Sequence, residues 1–111
     1  MAITQNLYLD QGSTFVSNLS YVDNSKNPID ITGFAARAEF RSSYSTANSY
    51  VFTSNVIDAG NGIINLSMPY YETSNVKAGR YVYDVEIYNG IIVTKIFEGL
   101  VVVNPEVTKN G

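Results

Sequence analysis

The chain reads as an all-β domain, an antiparallel β-sandwich of about seven strands, and three observations carry that reading. Apolar residues recur at every second position in stretches such as 34–41 and 81–88, the period of a half-buried strand. Turn-forming residues break these stretches at roughly 8–12-residue spacing, the pattern of a sandwich rather than of a parallel α/β fold. Nine tyrosines and five phenylalanines, with no tryptophan, supply the bulky side chains that a pleated surface packs well. One hundred and eleven residues make one domain, 1–111, whose polar end, 106–111, is expected to fray.

Taken in order, Leu7, Tyr8 and Leu9 form a short first strand, and 10–13 turns the chain into a second strand over 14–22. That second strand mixes apolar and polar residues on both faces, which suits a sheet edge. Residues 23–28 are a loop of turn residues: Asp and Asn bond locally, and Pro28 fixes φ. The cleanest strand follows, with Phe34, Ala36, Ala38 and Phe40 on one face and Ala35, Arg37, Glu39 and Arg41 on the other. Arg37 and Glu39 are placed to pair with neighbouring strands. Residues 42–49 lack apolar periodicity and read as the longest polar loop.

Residues 50–53 form a strand that 55–57 extends past a bend, and 58–62 turns the chain. The strand over 63–68 is stopped by Pro69. Residues 70–77 are the one place for a helical turn, capped by Thr73 or Ser74 and ended by Ala78-Gly79. Two long strands then flank Asn89-Gly90, the dipeptide of a two-residue type I′ hairpin turn. Glu98-Gly99 is expected to be a bulge, since glycine inside a strand often marks one.

Composition removes several function classes. Without cysteine there is no disulfide or thiolate, and without histidine there is no imidazole base or ligand. A net charge of −3, with seven scattered Lys and Arg, argues against a nucleic-acid footprint. The apolar runs, such as 100–103, are too short to span a bilayer. No basic segment precedes an apolar run at the start, so no cleaved leader is expected. No cofactor is expected.

The remaining motifs have plain structural readings. Lys77-Ala78-Gly79-Arg80-Tyr81-Val82-Tyr83 has the spacing of the immunoglobulin tyrosine corner, with Tyr83 where a core cysteine would stand. Gly79, Tyr81 and Tyr83 are therefore assigned to a structural corner that turns a lone hairpin into a sandwich. Asp84 and Glu86 share one strand face, and a surface pair explains them better than a glycosidase-type carboxylate pair. Residues 58–62 resemble part of a calcium loop but lack its closing acid, so a turn is favoured. The sequons at Asn18 and Asn65 fall inside strands and read as chance. Val82, Asp84, Glu86 and Tyr88, on the outer face of the hairpin, together with Tyr44 in the polar loop, are the candidate partner-binding residues.

A resemblance sharpens this reading. The succession runs from Leu9-Asp10-Gln11-Gly12-Ser13-Thr14-Phe15 through residues 27–41 (NPIDITGFAARAEFR), 78–87 (AGRYVYDVEI) and 98–108. It resembles a family of small tailed-phage virion proteins, cyanophage-type ones among them. Their fold is similar to the immunoglobulin-like amino-terminal domain of phage baseplate upper proteins. The likeness covers nearly the whole chain but includes no carboxy-terminal fibre or coiled coil. It implies a non-enzymatic structural protein, an adaptor in the tail, baseplate or neck that contacts other virion proteins in multiple symmetric copies. Assembly in the host cytoplasm, without nucleic-acid or membrane partners, is the matching expectation. The alternatives are a capsid decoration protein and, in another class, a carbohydrate or host-surface binding module using Tyr44 or Tyr88.

Overall fold

The computed structural model describes residues 2–43 and 49–107. Its strands are β1 (Ile3–Thr4), β2 (Leu7–Asp10), β3 (Phe15–Ser20), β4 (Ala35–Arg41), β5 (Tyr50–Asp58), β6 (Ile63–Met68), β7 (Gly79–Tyr88) and β8 (Val93–Asn104). A four-residue helix, α1 (Tyr70–Thr73), and a 3₁₀ turn at Ala59–Asn61 are the helical pieces among the described residues. The fold is all-β. The strands form one mixed sheet in the order β1-β8-β7-β4-β5-β6-β3, with β2 also paired to β8.

The sheet curls because β5 belongs to both of its halves. Residues 50–52 pair with β4, and residues 53–58 pair with β6. The bend expected between 53 and 55 is replaced by one continuous strand that changes partner between Phe52 and Thr53. The curl wraps a single core in which Phe52, where β5 crosses, lies 5.4 Å from the Phe15 ring and 4.9 Å from the Phe40 ring. Phe40 also meets Tyr81 edge-on at 5.2 Å. Leu9, Leu19, Ile64, Leu66, Val85, Phe97 and Val101 are among the other buried residues that join it from both halves. Such burial contributes roughly 1.5–3 kcal/mol per large side chain.

Five expectations are corrected. The sheet is mixed rather than antiparallel, because β1 and β2 run parallel to β8. Parallel pairing joins segments far apart in sequence, so no local turn signal announces it.

The hairpin turn is a four-residue connection, 89–92, with Tyr88 paired to Val93. Asn89 keeps a negative φ; its side-chain Oδ1 accepts from the N–H of Ile91 and Ile92, an Asx-type turn replacing the I′ geometry. Ile91 is left 92% exposed.

The bulge falls at Ile96, which lies between the Val85–Phe97 and Glu86–Lys95 pairs, so that Ile96 and Phe97 are both buried. Gly99 sits in regular register opposite Tyr83, and its own reason is proximity: a Cβ there would come within 2.5 Å of the Gln5 carbonyl.

Thr73 does not cap α1, whose N-cap position is Pro69. Fully buried, it donates to the Ser13 carbonyl at 2.9 Å and accepts from the Gly12 N–H at 3.1 Å, tying α1 to the β2–β3 turn. The end of the chain is also held further than expected, since the Glu106 N–H donates to Gln11 Oε1 at 3.0 Å. The remaining tail, 108–111, lies outside the described residues.

Candidate functional site

Strand alternation sends the odd residues of β7 into the core and the even ones outward, and the register with β4 and β8 assembles them into rows. Across β4, β7 and β8 one row reads Arg37, Glu86, Lys95, and the next reads Glu39, Asp84, Glu98. The row beyond those is Arg41, Val82, Leu100, and the row on the opposite side is Ala35, Tyr88, Val93. Val82, Asp84, Glu86 and Tyr88 therefore share one half-buried face. Tyr44 lies outside the described residues.

The charges on this face are spent on one another. Arg37 Nε donates to Glu86 Oε1 at 2.8 Å, and its guanidinium lies 4.8 Å above the Tyr88 ring. Arg41 meets Glu39 at 3.4 Å, while Lys95 reaches Glu98 at 3.3 Å and Asp84 at 4.0 Å. Three acids abreast still repel. Partial burial, then the Glu86 charge, holds the Asp84 carboxyl above its ordinary range, with Glu39 adding to the shift and Lys95 and Arg41 opposing it. A depression of about 270 Å³ lies over Glu39, Arg41, Val82, Asp84 and Glu86. No cluster of acids among the described residues could hold a metal ion.

The corner residues lie below this face. The Tyr81 hydroxyl donates to the Lys77 carbonyl at 2.6 Å, the bond a tyrosine corner makes four residues upstream. Tyr83 is buried and donates to the Gln5 carbonyl, which ties β7 to the β1–β2 link; burial pushes its phenol up to about 12. Gly79 opens β7 at a φ of +146°, a backbone setting that favours glycine. At this end of the domain Tyr70 and Tyr71 are exposed, edge to face, 5.5 Å apart.

A second outer face, on β5, β6 and β3, differs in kind. Its rows are Thr53, Ser67, Val16 and then Asn55, Asn65, Asn18, with Asp58, Ile63, Ser20 at the far end. Asp58 is the only ionisable side chain in these rows, and it bonds Asn61 Nδ2 at 2.9 Å in the turn that follows. The asparagine row was visible in sequence only as two sequons. Nothing local tells that Asn18, Asn55 and Asn65 stand side by side, which follows from strand pairing alone. The exposed Ile91-Ile92-Val93 tip was hidden for a related reason, since a type I′ turn at Asn89-Gly90 would have drawn these residues into the strand.

No family model and no curated protein matches the chain. Among solved structures it is similar to the crystal structure of Listeria monocytogenes InlP, with a TM-score of 0.49 and 15% identity over 93% of this chain. The chain spans 28% of the length of that protein.

Proposed function

We propose that the chain is a non-enzymatic, immunoglobulin-like sandwich that acts by protein–protein contact as a structural part of a phage particle, an adaptor in the tail, baseplate or neck. The immunoglobulin-like reading is supported by strand order. β3, β6 and the second half of β5 stand as strands B, E and D; β4, β7 and β8 stand as C, F and G; and Tyr81 makes the corner bond at the start of F. One observation carries the contact role. The acids and bases of the β4–β7–β8 face are spread as a ladder over a sheet and bonded pairwise, so a partner that covers this face buries few unpaired charges. The phage setting rests on the sequence resemblance, and repeated copies would supply avidity to individually weak contacts.

Mass spectrometry of purified particles of the encoding phage tests the setting. The protein is expected in the virion, in a copy number that follows the symmetry of the tail. A number that follows the capsid lattice moves it to a decoration role, and absence from the particle sinks the reading. Reversing both acids, with Asp84→Lys and Glu86→Lys, is expected to leave a folded chain that particles no longer incorporate.

A further inference from the structure

We propose that β3 is a self-pairing edge, and that two copies of this chain join antiparallel along it, about a two-fold axis at Asn18, to make one continuous sheet. Among the described residues no strand pairs with β3 on the side away from β6. The Tyr21 N–H donates to the Gly62 carbonyl, so the ladder alternation turns the backbone of Phe15, Ser17 and Leu19 toward β6. The N–H and C=O groups of Val16, Asn18 and Ser20 then point out from the edge. A groove of about 340 Å³ separates residues 13–17 from β2, so the neighbouring strand does not cover them.

Edges of this kind are normally guarded by lysine, proline, a bulge or shortness. The other free edge is guarded in this way: β1 and β2 are two and four residues long, interrupted at Gln5-Asn6, and β2 ends on Asp10. β3 has no such guard. It runs six residues without a bulge, and residues 11–22 contain no charge and no proline.

The missing charge also selects the occupant. A two-fold axis sets each residue against its own kind or against its symmetry partner, so any charge near the axis meets a like charge. Here the pairs across the axis are Asn18 with Asn18 and Val16 with Ser20, and none repels. Behind Asn18 the row continues through Asn65 to Asn55. Asn65 Nδ2 donates to Asn18 Oδ1 at 2.8 Å, and the Asn18 amide hydrogens have no acceptor among the described residues. Pairing at Asn18 lets each amide donate across the axis and extends the asparagine row through six strands.

The test uses the purified chain, so it reads independently of where the protein sits in a particle. Sedimentation at millimolar protein is expected to show a dimer that dissociates on dilution. Asn18→Lys, an exposed substitution, is expected to raise the dissociation constant more than tenfold with an unchanged melting temperature. Because the chain has no cysteine, Asn18→Cys is expected to form a disulfide-linked dimer on mild oxidation. Asn55→Cys, on the same row but two strands in, is expected not to do so. A wild-type chain that stays monomeric at millimolar concentration overturns the proposal, whether the edge is then bare or takes a strand from a different protein. So does equal cross-linking of the two cysteine variants.

Discussion

The two outer faces of the curled sheet are built by the same alternation and resolve their polarity in opposite ways. On β4, β7 and β8, long charged side chains lie across the strands and neutralise one another, three cations against four acids. On β5, β6 and β3, short amides and hydroxyls stand in rows with almost no charge, and the last strand ends at an open edge. A charged face repels its own copy unless it is rotated into register with opposite charges, whereas a neutral face with a free edge has no such barrier. The eye-catching charges therefore mark a surface whose own charges are already paired. The quieter face keeps unspent hydrogen-bonding capacity.

The contrast between the faces requires that both belong to one folding unit, and Phe52 is the residue that tests this. Phe52 is buried where β5 passes from one half to the other, between Phe15 and Phe40. Phe52→Ala should cost about 3–5 kcal/mol. Urea unfolding followed by tyrosine fluorescence and by far-ultraviolet circular dichroism should still give one coincident transition, at lower urea. Two separated transitions would mean that the faces ride on independent units, and the contrast between them would lose its meaning.

Much of this architecture was legible in the sequence, and what was not shares one cause. The alternation in residues 34–41 and 81–88 gave strands, faces and core residues, because period two is a local property. The bond from the Tyr81 hydroxyl to the Lys77 carbonyl was within reach of the sequence because it spans four residues. The parallel seating of β1 and β2 on β8 was not, since its cause lies ninety residues along the chain, in partners such as Leu7 with Val101. Gly99 shows the same limit in part: its φ of +157° belongs to its own strand, but the close approach of the Gln5 carbonyl does not. The candidate face was half legible, with Val82, Asp84, Glu86 and Tyr88 correctly grouped and their cationic partners on β4 and β8 supplied by register. The Asn18 row was not legible at all, since rows exist only after strands pair.

A smaller effect sharpens the statement that the charged face is satisfied. The Arg37–Glu86 pair is short but about half exposed on the arginine side, and such pairs contribute roughly 0.2–1 kcal/mol. Glu86→Ala should lower stability within that range in dilute buffer, and most of the loss should disappear at ~1 M salt, where the screening length falls to about 3 Å. Thermal melts at two salt concentrations decide it. A loss that survives high salt would assign the role of Glu86 to packing instead.

The smallest effect concerns the middle of the three-acid row, and its sign separates crowding from pairing. Asp84 has its folded pKa raised, by partial burial first and then by Glu86, so the folded chain holds this proton more tightly than the unfolded chain does. Stability linked to this group must therefore fall as pH rises through the raised pKa, the reverse of a carboxylate stabilised by a cation. At neutral pH the charged Asp84 is a small burden that Lys95, 4.0 Å away, only partly relieves. Asp84→Asn should then melt slightly above the wild type at neutral pH. The gap should close as pH falls from neutral through the raised pKa, where the wild-type carboxyl takes its proton. A variant that melts below the wild type at neutral pH would show that the Lys95 attraction outweighs burial and crowding, and that the row of acids is a stabilised one.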